Sequence, residues 1–565
     1  MQTLVMRHRN LGLVDVVTSD GRKAHYRDTG LWTKVTLAQR VGEMAREHGE
    51  KVAVIDSIGM RINTYEQLNH DALTLMDVLL SYGISRGDVV SVQLPNRYEA
   101  VVAAVAVQAI GAVLNPLLPN YRSHELAHVF ETVRPKAIFT PGNYRDCDYV
   151  EMISSVALKT GVSPLHVVVD DELSSGDVQL LEVLSAGGSI DNRWVTSAAP
   201  ASEVSEVIFT SGTEAKPKAV MHTEETANFA VNTACHDLGL GSEQVVWMPS
   251  PVGHSTGLNY GTRAALVSGR TLLLQDRWSP SDAVEIIRRH HGSYTLSATT
   301  FLQGIVEECE ATNTRLTEMS HFGCGGAPVP SELVMRALDV GIIVLRLYGS
   351  TEALCGTWNR SDSPLEKRKT TDGRALSHTE ISLRNEDGSS IEGSGEGELH
   401  LRGPNTSVGY FNDPTRTAET YLEGGWVRSG DLARLDDEGF LTVIGRKKEI
   451  IIRGGLNIAP REIEDMLMSF PEIERAAIVG VPNERLGEQS CACVVLRPNT
   501  SLDLKTMTDR LKQAGLAIYK LPESLRVLAS LPTTASGKIQ KHEILRQLGS
   551  HQLDTNDALI ESERS

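Results

Sequence analysis

Short apolar strands alternate with helical segments through residues 88–348, and no other feature of this chain constrains its fold as strongly. Residues 88–94 are predicted to form a strand that ends at Pro95, and residues 97–110 are predicted to form a buried helix. Further short buried strands are predicted at 137–139, 167–169 and 344–348. Strands that alternate with helices favour an α/β architecture with largely parallel sheets.

The sequence changes in texture after residue 381. Two stretches with glycine turns, 396–403 and 439–445, are typical of antiparallel strands, and the basic cluster of residues 446–448 follows them. Beyond this cluster a helix is predicted at 460–469, and strands are predicted at 476–479 and 491–496. Because 565 residues exceed a single core, we divide the chain into domains at residues 1–445 and 446–550, with a polar tail at 551–565.

The composition excludes several classes of protein. The formal net charge is −17, so basic residues are not in excess for phosphate contacts and we expect no nucleic-acid partner. The N-terminal residues carry no signal-peptide pattern. The longest apolar run, 100–114, is shorter than the ~20 residues that span a bilayer. We therefore expect a cytoplasmic protein without a transmembrane segment.

The seven cysteines are scattered and predict neither a metal site nor a disulfide framework. Cys491 and Cys493 lie in one apolar run, and the expectation is that their thiols point to opposite faces of a strand. We expect buried, reduced thiols that act as small apolar side chains.

The stretch at 209–220 has the composition of a loop that wraps a polyphosphate. The apolar run 207–209 ends in hydroxyl side chains, one glycine and two lysines. Backbone N–H groups and hydroxyls donate to phosphate oxygens, glycine permits close approach, and lysine balances charge. This is not the common nucleotide loop, because Pro217 separates the lysines and makes continuation into a helix unfavourable. The loop indicates ATP chemistry of another kind.

Six motifs in a fixed order extend over nearly the whole chain. They are the loop at 209–220, Gly-Gly-Ala-Pro at 325–328, Tyr-Gly-Ser-Thr-Glu at 348–352, Ser-Gly-Asp at 429–431, the group at 445–448, 454–455 and 460–464, and Pro-Thr-Thr-Ala-Ser-Gly-Lys at 532–538. With these motifs the chain resembles the adenylate-forming superfamily, which includes acyl- and aryl-CoA synthetases, firefly-type luciferases and peptide-synthetase adenylation domains. The resemblance implies a large N-terminal domain of stacked mixed α/β sheets with a small β-barrel-like subdomain, followed by a small mobile α+β C-terminal domain.

The resemblance also implies the reaction. A carboxylic acid would attack the α-phosphate of ATP to give acyl-AMP and pyrophosphate, and coenzyme A would then displace AMP to give a thioester. ATP, Mg²⁺ and coenzyme A are the implied cofactors, a small-molecule carboxylic acid is the implied substrate, and the activity is that of an acid–thiol ligase. A homodimer remains open as the oligomeric state.

The same resemblance assigns roles to residues of this chain. The catalytic residues are Lys538, Glu352 and Thr351, and Glu352 would also hold the metal. The phosphate-binding residues are Thr210, Ser211, Gly212, Thr213, Glu214 and Lys218. The adenine- and ribose-binding residues are Gly326, Ala327, Pro328, Tyr348, Asp431 and Arg446. For the second step, Lys448 would be the hinge about which the small domain rotates, and Gly454 and Gly455 would line the tunnel for coenzyme A.

The chain departs from the family pattern near the phosphate loop. Glu214 and Ala215 stand where relatives have Thr-Gly, Ala219 replaces a glycine, and Glu224 stands where a histidine is frequent. A carboxylate beside phosphates is repelled unless it faces solvent, a metal ion or a lysine. We hypothesise that Glu214 points away from the phosphates or contacts Mg²⁺ through water.

The substrate is less constrained than the reaction. The stretch 250–257 resembles synthetases that act on alicyclic, aromatic or medium-chain acids, such as cyclohexanecarboxylate–CoA ligases. The acyl-pocket candidates are His254, Ser255, Gly257, Leu258, Gly349 and Cys355. Small side chains near residues 349–356 would leave room for a bulky acyl group.

Alternatives stay open for the function and for the residues. The chain could be a standalone adenylating enzyme that loads a carrier protein, or an inactive nucleotide-binding relative. Individually, Lys538 could be a solvated surface lysine, Asp431 could cap a turn, and His254 could be a core histidine. The order and spacing of six motifs favour the catalytic interpretation.

Overall fold

The computed structural model describes residues 18–56, 61–169, 178–186, 193–210, 217–327, 329–453, 456–483, 485–534 and 538–549. The helices of these ranges are α1 (Asp20–Asp28), α2 (Leu37–His48), α3 (Tyr65–Ser81), α4 (Tyr98–Ile110), α5 (Ser123–Val133), α6 (Tyr149–Thr160), α7 (Leu180–Ala186), α8 (Glu224–Asp237), α9 (Ala264–Val267), α10 (Pro280–His290), α11 (Thr299–Ala311), α12 (Ser331–Asp339), α13 (Leu365–Thr370), α14 (Pro414–Thr420), α15 (Pro460–Leu467), α16 (Leu504–Gln513) and α17 (Lys541–Gly549). A π-helical segment, Thr256–Arg263, precedes α9.

The strands of the same ranges are β1 (Val52–Asp56), β2 (Arg61–Thr64), β3 (Val89–Val92), β4 (Val113–Pro116), β5 (Ala137–Thr140), β6 (Asn143–Tyr144), β7 (Cys147–Asp148), β8 (Leu165–Val168), β9 (Val178–Gln179), β10 (Val204–Phe209), β11 (Ala219–Thr223), β12 (Val245–Met248), β13 (Thr271–Leu274), β14 (Gly292–Ser297), β15 (His321–Cys324), β16 (Val344–Ser350), β17 (Leu354–Trp358), β18 (Arg374–Ala375), β19 (Glu380–Arg384), β20 (Ser390–Ile391), β21 (Gly395–Arg402), β22 (Tyr421–Leu422), β23 (Trp426–Leu435), β24 (Leu441–Arg446), β25 (Ile451–Arg453), β26 (Leu456–Ile458), β27 (Ile473–Asn483), β28 (Gly487–Leu496) and β29 (Ser524–Val527).

Two largely parallel sheets form the body of the large domain, which confirms the predicted α/β architecture. The first sheet has the order β18-β17-β16-β15-β14-β12-β13-β1-β2 and is parallel from β16 to β1. The second has the order β11-β10-β4-β3-β5-β8-β9 and is parallel from β10 to β9. The strand predicted at 88–94 is β3, and the buried helix predicted after it is α4.

The two sheets share one core through a central helical layer. Every residue of α4 is buried, and α2, α3 and α4 pack in a single apolar cluster with inward-facing residues of both sheets. On β13, Leu272 and Leu274 join this central cluster, whereas Leu273 faces the outer layer of α10, α11 and α12. This division follows from the alternation of side chains along a strand. Helices α5 and α6 cover the outer face of the second sheet.

A third sheet, antiparallel throughout, follows the two parallel ones. Its order is β20-β19-β21-β23-β22, and β24 pairs with β23. Its apolar side chains pack in one cluster with Tyr348 and Ala353, which come from the end of β16 and the turn after it. This sheet therefore lies against the strand that carries the Tyr-Gly-Ser-Thr-Glu motif.

The C-terminal unit is α+β. Its sheet has the order β26-β25-β28-β27, with β29 parallel to β28, and α15, α16 and α17 pack on it. The strand β24 ends at Arg446, the 3-10 turn Lys447–Glu449 follows, and β25 begins at Ile451 in the other sheet. The division of domains between residues 445 and 446 stays a prediction, and the tail at 551–565 lies outside the described residues.

The expectation for the paired thiols is wrong. Cys491 and Cys493 are both buried on β28, and their Sγ atoms lie 4.0 Å apart on the same face. Residues i and i+2 of a strand share a face, so the apolar run places both thiols in one cluster.

In the described part of the chain, no helix combines the length and apolar character that crossing a bilayer requires.

Candidate active site

Three of the six motifs lie at the carboxyl ends of parallel strands. Strand β10 ends at Phe209 before the phosphate loop, β15 ends before the motif at 325–328, and β16 ends within the motif at 348–352. Strand β12 likewise ends before the 250–257 stretch. Carboxyl ends of parallel strands meet at one edge of a sheet, where ligands of open α/β folds bind. The α/β architecture thus brings together motifs that are far apart in the chain.

The phosphate loop connects two antiparallel strands rather than a strand and a helix. Phe209 on β10 pairs with Ala219 on β11, and Thr210 N–H donates to the carbonyl oxygen of Lys218 at 2.9 Å. In return, the N–H of Lys218 donates to Thr210 Oγ1 at 3.1 Å. This agrees with the expectation that Pro217 prevents a helix. The predicted phosphate ligands between these limbs, Ser211, Gly212, Thr213 and Glu214, lie outside the described residues.

A tyrosine connects Glu352 to the base of this loop. The hydroxyl of Tyr410 donates to Glu352 Oε1 at 2.8 Å, and the Nζ of Lys218 lies 5.4 Å from the centre of the Tyr410 ring. The preceding residue, Thr351, is held by its carbonyl oxygen, which lies 2.8 Å from Nε2 of the buried His222. Burial, together with the negative charge of Glu352, raises the pKa of Tyr410, so its hydroxyl remains a donor.

A buried carboxylate on the third sheet forms the predicted ribose site. Asp431 on β23 pairs in register with Arg446 on β24, and Arg446 Nε lies 3.1 Å from Asp431 Oδ1. The hydroxyl of Tyr348 donates to Asp431 Oδ2 at 2.6 Å. Burial raises the pKa of Asp431, and the guanidinium of Arg446 and the Tyr348 hydrogen bond oppose this rise. Each carboxylate oxygen can accept more than one bond, so Asp431 retains acceptor capacity for ribose hydroxyls.

Lys538 reaches this site from the C-terminal unit. A Cβ placed on Gly326 would lie 3.6 Å from Lys538 Cε, so the lysine lies against the turn after β15. The pKa of Lys538 is lowered, because burial and the positive charge of Arg446 outweigh the opposing effect of the Asp431 and Glu352 carboxylates. Gly326 has a φ of +78°, a left-handed conformation that suits glycine. Ala327 follows in the same turn, and Pro328 lies outside the described residues.

The predicted acyl-pocket residues lie on two neighbouring elements. His254 and Ser255 immediately precede the π-helical segment and Gly257 lies in its first turn, where a Cβ would overlap the Pro251 carbonyl oxygen. Gly349 pairs with Cys355 across β16 and β17. The Cys355 N–H donates to the hydroxyl of Tyr260 on the π-helical segment at 2.7 Å, which joins the two elements.

A backbone N–H two residues further along the chain orients the ring of His254. The N–H of Thr256 donates to His254 Nδ1 at 3.2 Å, so the proton of the neutral ring resides on Nε2. Burial and the positive charge of Lys538 lower the pKa of His254 to about 4, which keeps the ring neutral at ordinary pH.

The predicted elements of the second step are only partly described. Lys448 is exposed in the turn Lys447–Glu449, between the last strand of the third sheet and the first of the C-terminal sheet. The predicted tunnel residues Gly454 and Gly455 lie outside the described residues. In the described ranges, no group of three or more His, Cys, Asp or Glu side chains is arranged to hold a metal ion. The carboxylate of Glu352 is a type of ligand that suits a hard ion such as Mg²⁺.

Sequence reasoning missed a buried charge network beside the site. Arg263, at the end of the π-helical segment, lies 2.8 Å from Glu224 Oε2 and 3.0 Å from Glu206 Oε2, and all three side chains are buried. The two carboxylates raise the pKa of Arg263 although burial opposes this. Glu224 also accepts from the N–H of Leu37 at 2.8 Å. The departure at Glu224 therefore has a structural reason, because this carboxylate partners a buried guanidinium.

Two family models together match most of the chain. The model described as "AMP-binding enzyme" matches residues 41–411, and the model described as "AMP-binding enzyme C-terminal domain" matches residues 462–538. The second match ends at Lys538, so it includes the loop that reaches the site from the C-terminal unit.

Known proteins are similar over most of their length. The medium-chain fatty-acid–CoA ligase of Escherichia coli is 36% identical over 95% of this chain and 95% of its own. The mitochondrial medium-chain acyl-CoA ligase ACSF2 of Mus musculus is 30% identical over 87% of this chain and 84% of its own. The 3-[(3aS,4S,7aS)-7a-methyl-1,5-dioxo-octahydro-1H-inden-4-yl]propanoyl:CoA ligase of Rhodococcus jostii is 30% identical over 91% of this chain and 98% of its own.

A solved structure has the same fold. The o-succinylbenzoate CoA synthetase of Bacillus subtilis, in complex with its acyl-adenylate intermediate, superposes with a TM-score of 0.78 and 26% identity. The match covers 91% of this chain and 98% of that one. From these matches and the geometry above, the chain belongs to the AMP-binding enzyme family, as an ATP-dependent acid–thiol ligase that activates a carboxylic acid as its acyl-adenylate and joins it to coenzyme A.

Proposed function

We propose that this ligase acts on medium-chain carboxylic acids, including acids with a bulky alicyclic end. The proposal is supported by relatives whose names specify a medium-chain acid or a propanoate that carries a fused ring system. The observation that carries it is the hydrogen bond from the Cys355 N–H to the Tyr260 hydroxyl, because it joins the segment that follows His254 to β17, so the acyl-pocket candidates lie on neighbouring elements.

ATP would lie across the two sides of the site. Asp431 and Tyr348 would bind the ribose, with Arg446 beside them, and the turn at Gly326 would contact the adenine. Thr210 and Lys218, at the base of the hairpin loop, would position the β- and γ-phosphates. In this pose the α-phosphate would lie between Glu352 and Lys538. Stabilisation of phosphoryl charge is mainly a matter of position and electrostatics.

In the first step the acid would attack the α-phosphate and pyrophosphate would leave. Lys538 would hold the attacking carboxylate in line and neutralise charge on the α-phosphate, and Thr351 would donate to the same phosphate. Glu352 would hold Mg²⁺ with the phosphates, and the ion would supply charge neutralisation there. His254 would present its Nε2–H toward the acyl group, because Nδ1 is already bonded to the backbone.

In the second step the thiol of coenzyme A would attack the carbonyl carbon of the acyl-adenylate, and AMP would leave with the C–O bonding pair. We propose that the C-terminal unit rotates about Lys448 between the steps, which would withdraw Lys538 and bring Gly454 and Gly455 to the tunnel. A short turn between two independent sheets is a suitable place for such a hinge, because few residues need to change conformation.

Acid specificity tests the proposal directly. We expect octanoate and cyclohexanecarboxylate to give kcat/KM values at least ~10-fold above those of acetate and palmitate, since a pocket discriminates by the fit of each methylene. Pyrophosphate release should stop after one equivalent without coenzyme A and continue when it is added. Continued release only with an acyl carrier protein would support the carrier-loading alternative. Absence of release with every acid would support the inactive alternative.

The hydrogen bond from Tyr410 to Glu352 predicts a role for a residue outside the six motifs. Replacement of Tyr410 by Phe removes a bond to a charged group, which is worth ~1.5–3 kcal/mol, so we expect kcat/KM for ATP to fall ~10- to 100-fold. Tyr421→Phe is the matched control, because Tyr421 packs edge-on against Tyr410 and bonds to Ser407 instead. Equal effects of the two substitutions on pyrophosphate release would contradict this role.

A further inference from the structure

A partly buried lysine outside the catalytic machinery lies between two carboxylates of the C-terminal unit. Lys541, the first residue of α17, places its Nζ 3.0 Å from Glu449 Oε2 and 2.8 Å from Glu464 Oε1. Its side chain is only 15% exposed. Burial alone would lower the pKa of Lys541, but the carboxylates of Glu464 and Glu449 hold it above its ordinary value. The ammonium group therefore stays charged and paired with both acids.

Lys541 lies three residues after Lys538, where the second limb of the catalytic-lysine loop enters α17. The N–H of Gln540 donates to the Pro532 carbonyl oxygen at 2.9 Å, and the N–H of Thr534 donates to the Lys538 carbonyl oxygen at 2.7 Å. The Lys538 N–H returns a bond to Thr534 Oγ1 at 3.1 Å. The two limbs of the loop are thus joined to each other, and the contacts of Lys541 fix the end of the returning limb.

The two acids that hold Lys541 have defined positions of their own. Glu464 lies on α15 and accepts from the N–H of Ile478 on β27 at 2.7 Å, so it belongs to the core of the C-terminal unit. Glu449 ends the turn that follows Arg446 and contains Lys448. Lys541 consequently connects the catalytic-lysine loop both to the body of its own domain and to the turn beside the ribose site.

We propose that Lys541 is a positioning residue for acyl-adenylate formation. Through Glu449 and Glu464 it fixes the loop so that Lys538 extends to the α-phosphate beside Asp431 and Arg446. The proposal rests on the proposed role of Lys538. It predicts a selective defect, because the second step takes place with Lys538 withdrawn and does not need the lysine at the phosphate.

Separate assays of the two half-reactions test the inference on the full-length enzyme. We expect Lys541→Met to lower the rate of octanoyl-AMP formation at least ~10-fold and to change thioester formation from supplied octanoyl-AMP less than ~3-fold. Lys541→Arg keeps the charge and should restore adenylation to within ~3-fold of the unaltered enzyme. Lys520→Met is the matched control. The Nζ of Lys520 lies 2.6 Å from Glu462, which is on α15 like Glu464, but Lys520 is not part of the catalytic-lysine loop. We expect it to change neither half-reaction.

Three outcomes would overturn the inference. Equal losses in both half-reactions would indicate a structural role only, full adenylation by Lys541→Met would indicate none, and a matching defect in Lys520→Met would make the effect non-specific. If Lys541→Met fails to fold, Glu449→Gln removes one of its partners, and the same selective but smaller loss is expected. Lys538→Ala in the same assay separates the two levels: normal adenylation there would contradict the proposed function, whereas a defect there with normal Lys541→Met contradicts only this inference.

Discussion

Lys538→Ala should lower acyl-adenylate formation ~100- to 1,000-fold while thioester formation from supplied acyl-AMP is largely retained. The lysine reaches the nucleotide site beside Gly326, with Arg446, Asp431 and Glu352 near enough to change its pKa. Loss of one preorganised electrostatic donor costs ~3–4 kcal/mol of transition-state stabilisation. The second half-reaction should be spared because it proceeds with the C-terminal unit rotated. Rapid-quench measurement of acyl-AMP, and of thioester from added acyl-AMP, gives the two rates.

The control for Lys538 is Lys512→Ala, a change of an exposed lysine on α16 in the same domain. We expect this variant to adenylate and to form thioester at the normal rates. If Lys538→Ala slowed both half-reactions equally, the proposed rotation of the C-terminal unit between the steps would be wrong.

Arg263→Met should lower the free energy of unfolding by ~3–5 kcal/mol, the usual result of removing one partner of a buried ion pair. The guanidinium bonds with Glu206 on β10, with Glu224 and Asn228 on α8 and with Asn259 on its own π-helical segment, and its side chain is fully buried. Its removal leaves two buried carboxylates without a cation. Denaturant unfolding followed by circular dichroism measures the loss.

Two further variants serve as controls for the Arg263 measurement. Arg289→Met removes an exposed pair with Glu285 one helical turn away on α10, and we expect a loss of ~0–1 kcal/mol there. Addition of Glu206→Gln to Arg263→Met should recover part of the stability, because it removes one of the uncompensated charges. A loss for Arg263→Met no greater than that for Arg289→Met would contradict the structural role of the network.

The sequence predicted the architecture well where the spacing of apolar residues and a proline determine the local structure. The strand at 88–94 and the helix after it appear as β3 and α4, because an apolar strand, Pro95 and a continuous apolar helix leave few alternatives. The face assignment for Cys491 and Cys493 was wrong because the period of a strand was misapplied. The helix predicted at 460–469 ends slightly earlier, at Leu467.

The missed site residues share one property, which is that their partners are distant in the chain. Tyr410 bonds with Glu352 across 58 residues, and Arg263 bonds with Glu224 across 39. No local spacing indicates such pairs, because they form only when loops from different strands meet. The family motifs indicate Asp431, Glu352 and Lys538 as candidates, but the side chains that contact them could be identified only in three dimensions.

We propose that one site makes an acyl-adenylate from a medium-chain acid and then transfers the acyl group to coenzyme A. Mass spectrometry of the enzyme with ATP, Mg²⁺ and octanoate, before and after addition of coenzyme A, separates the two steps. We expect enzyme-bound octanoyl-AMP at about one equivalent before the addition and its conversion to octanoyl-CoA and AMP afterwards. If octanoyl-AMP persists in the presence of coenzyme A, or never forms, the two-step activity on medium-chain acids is wrong.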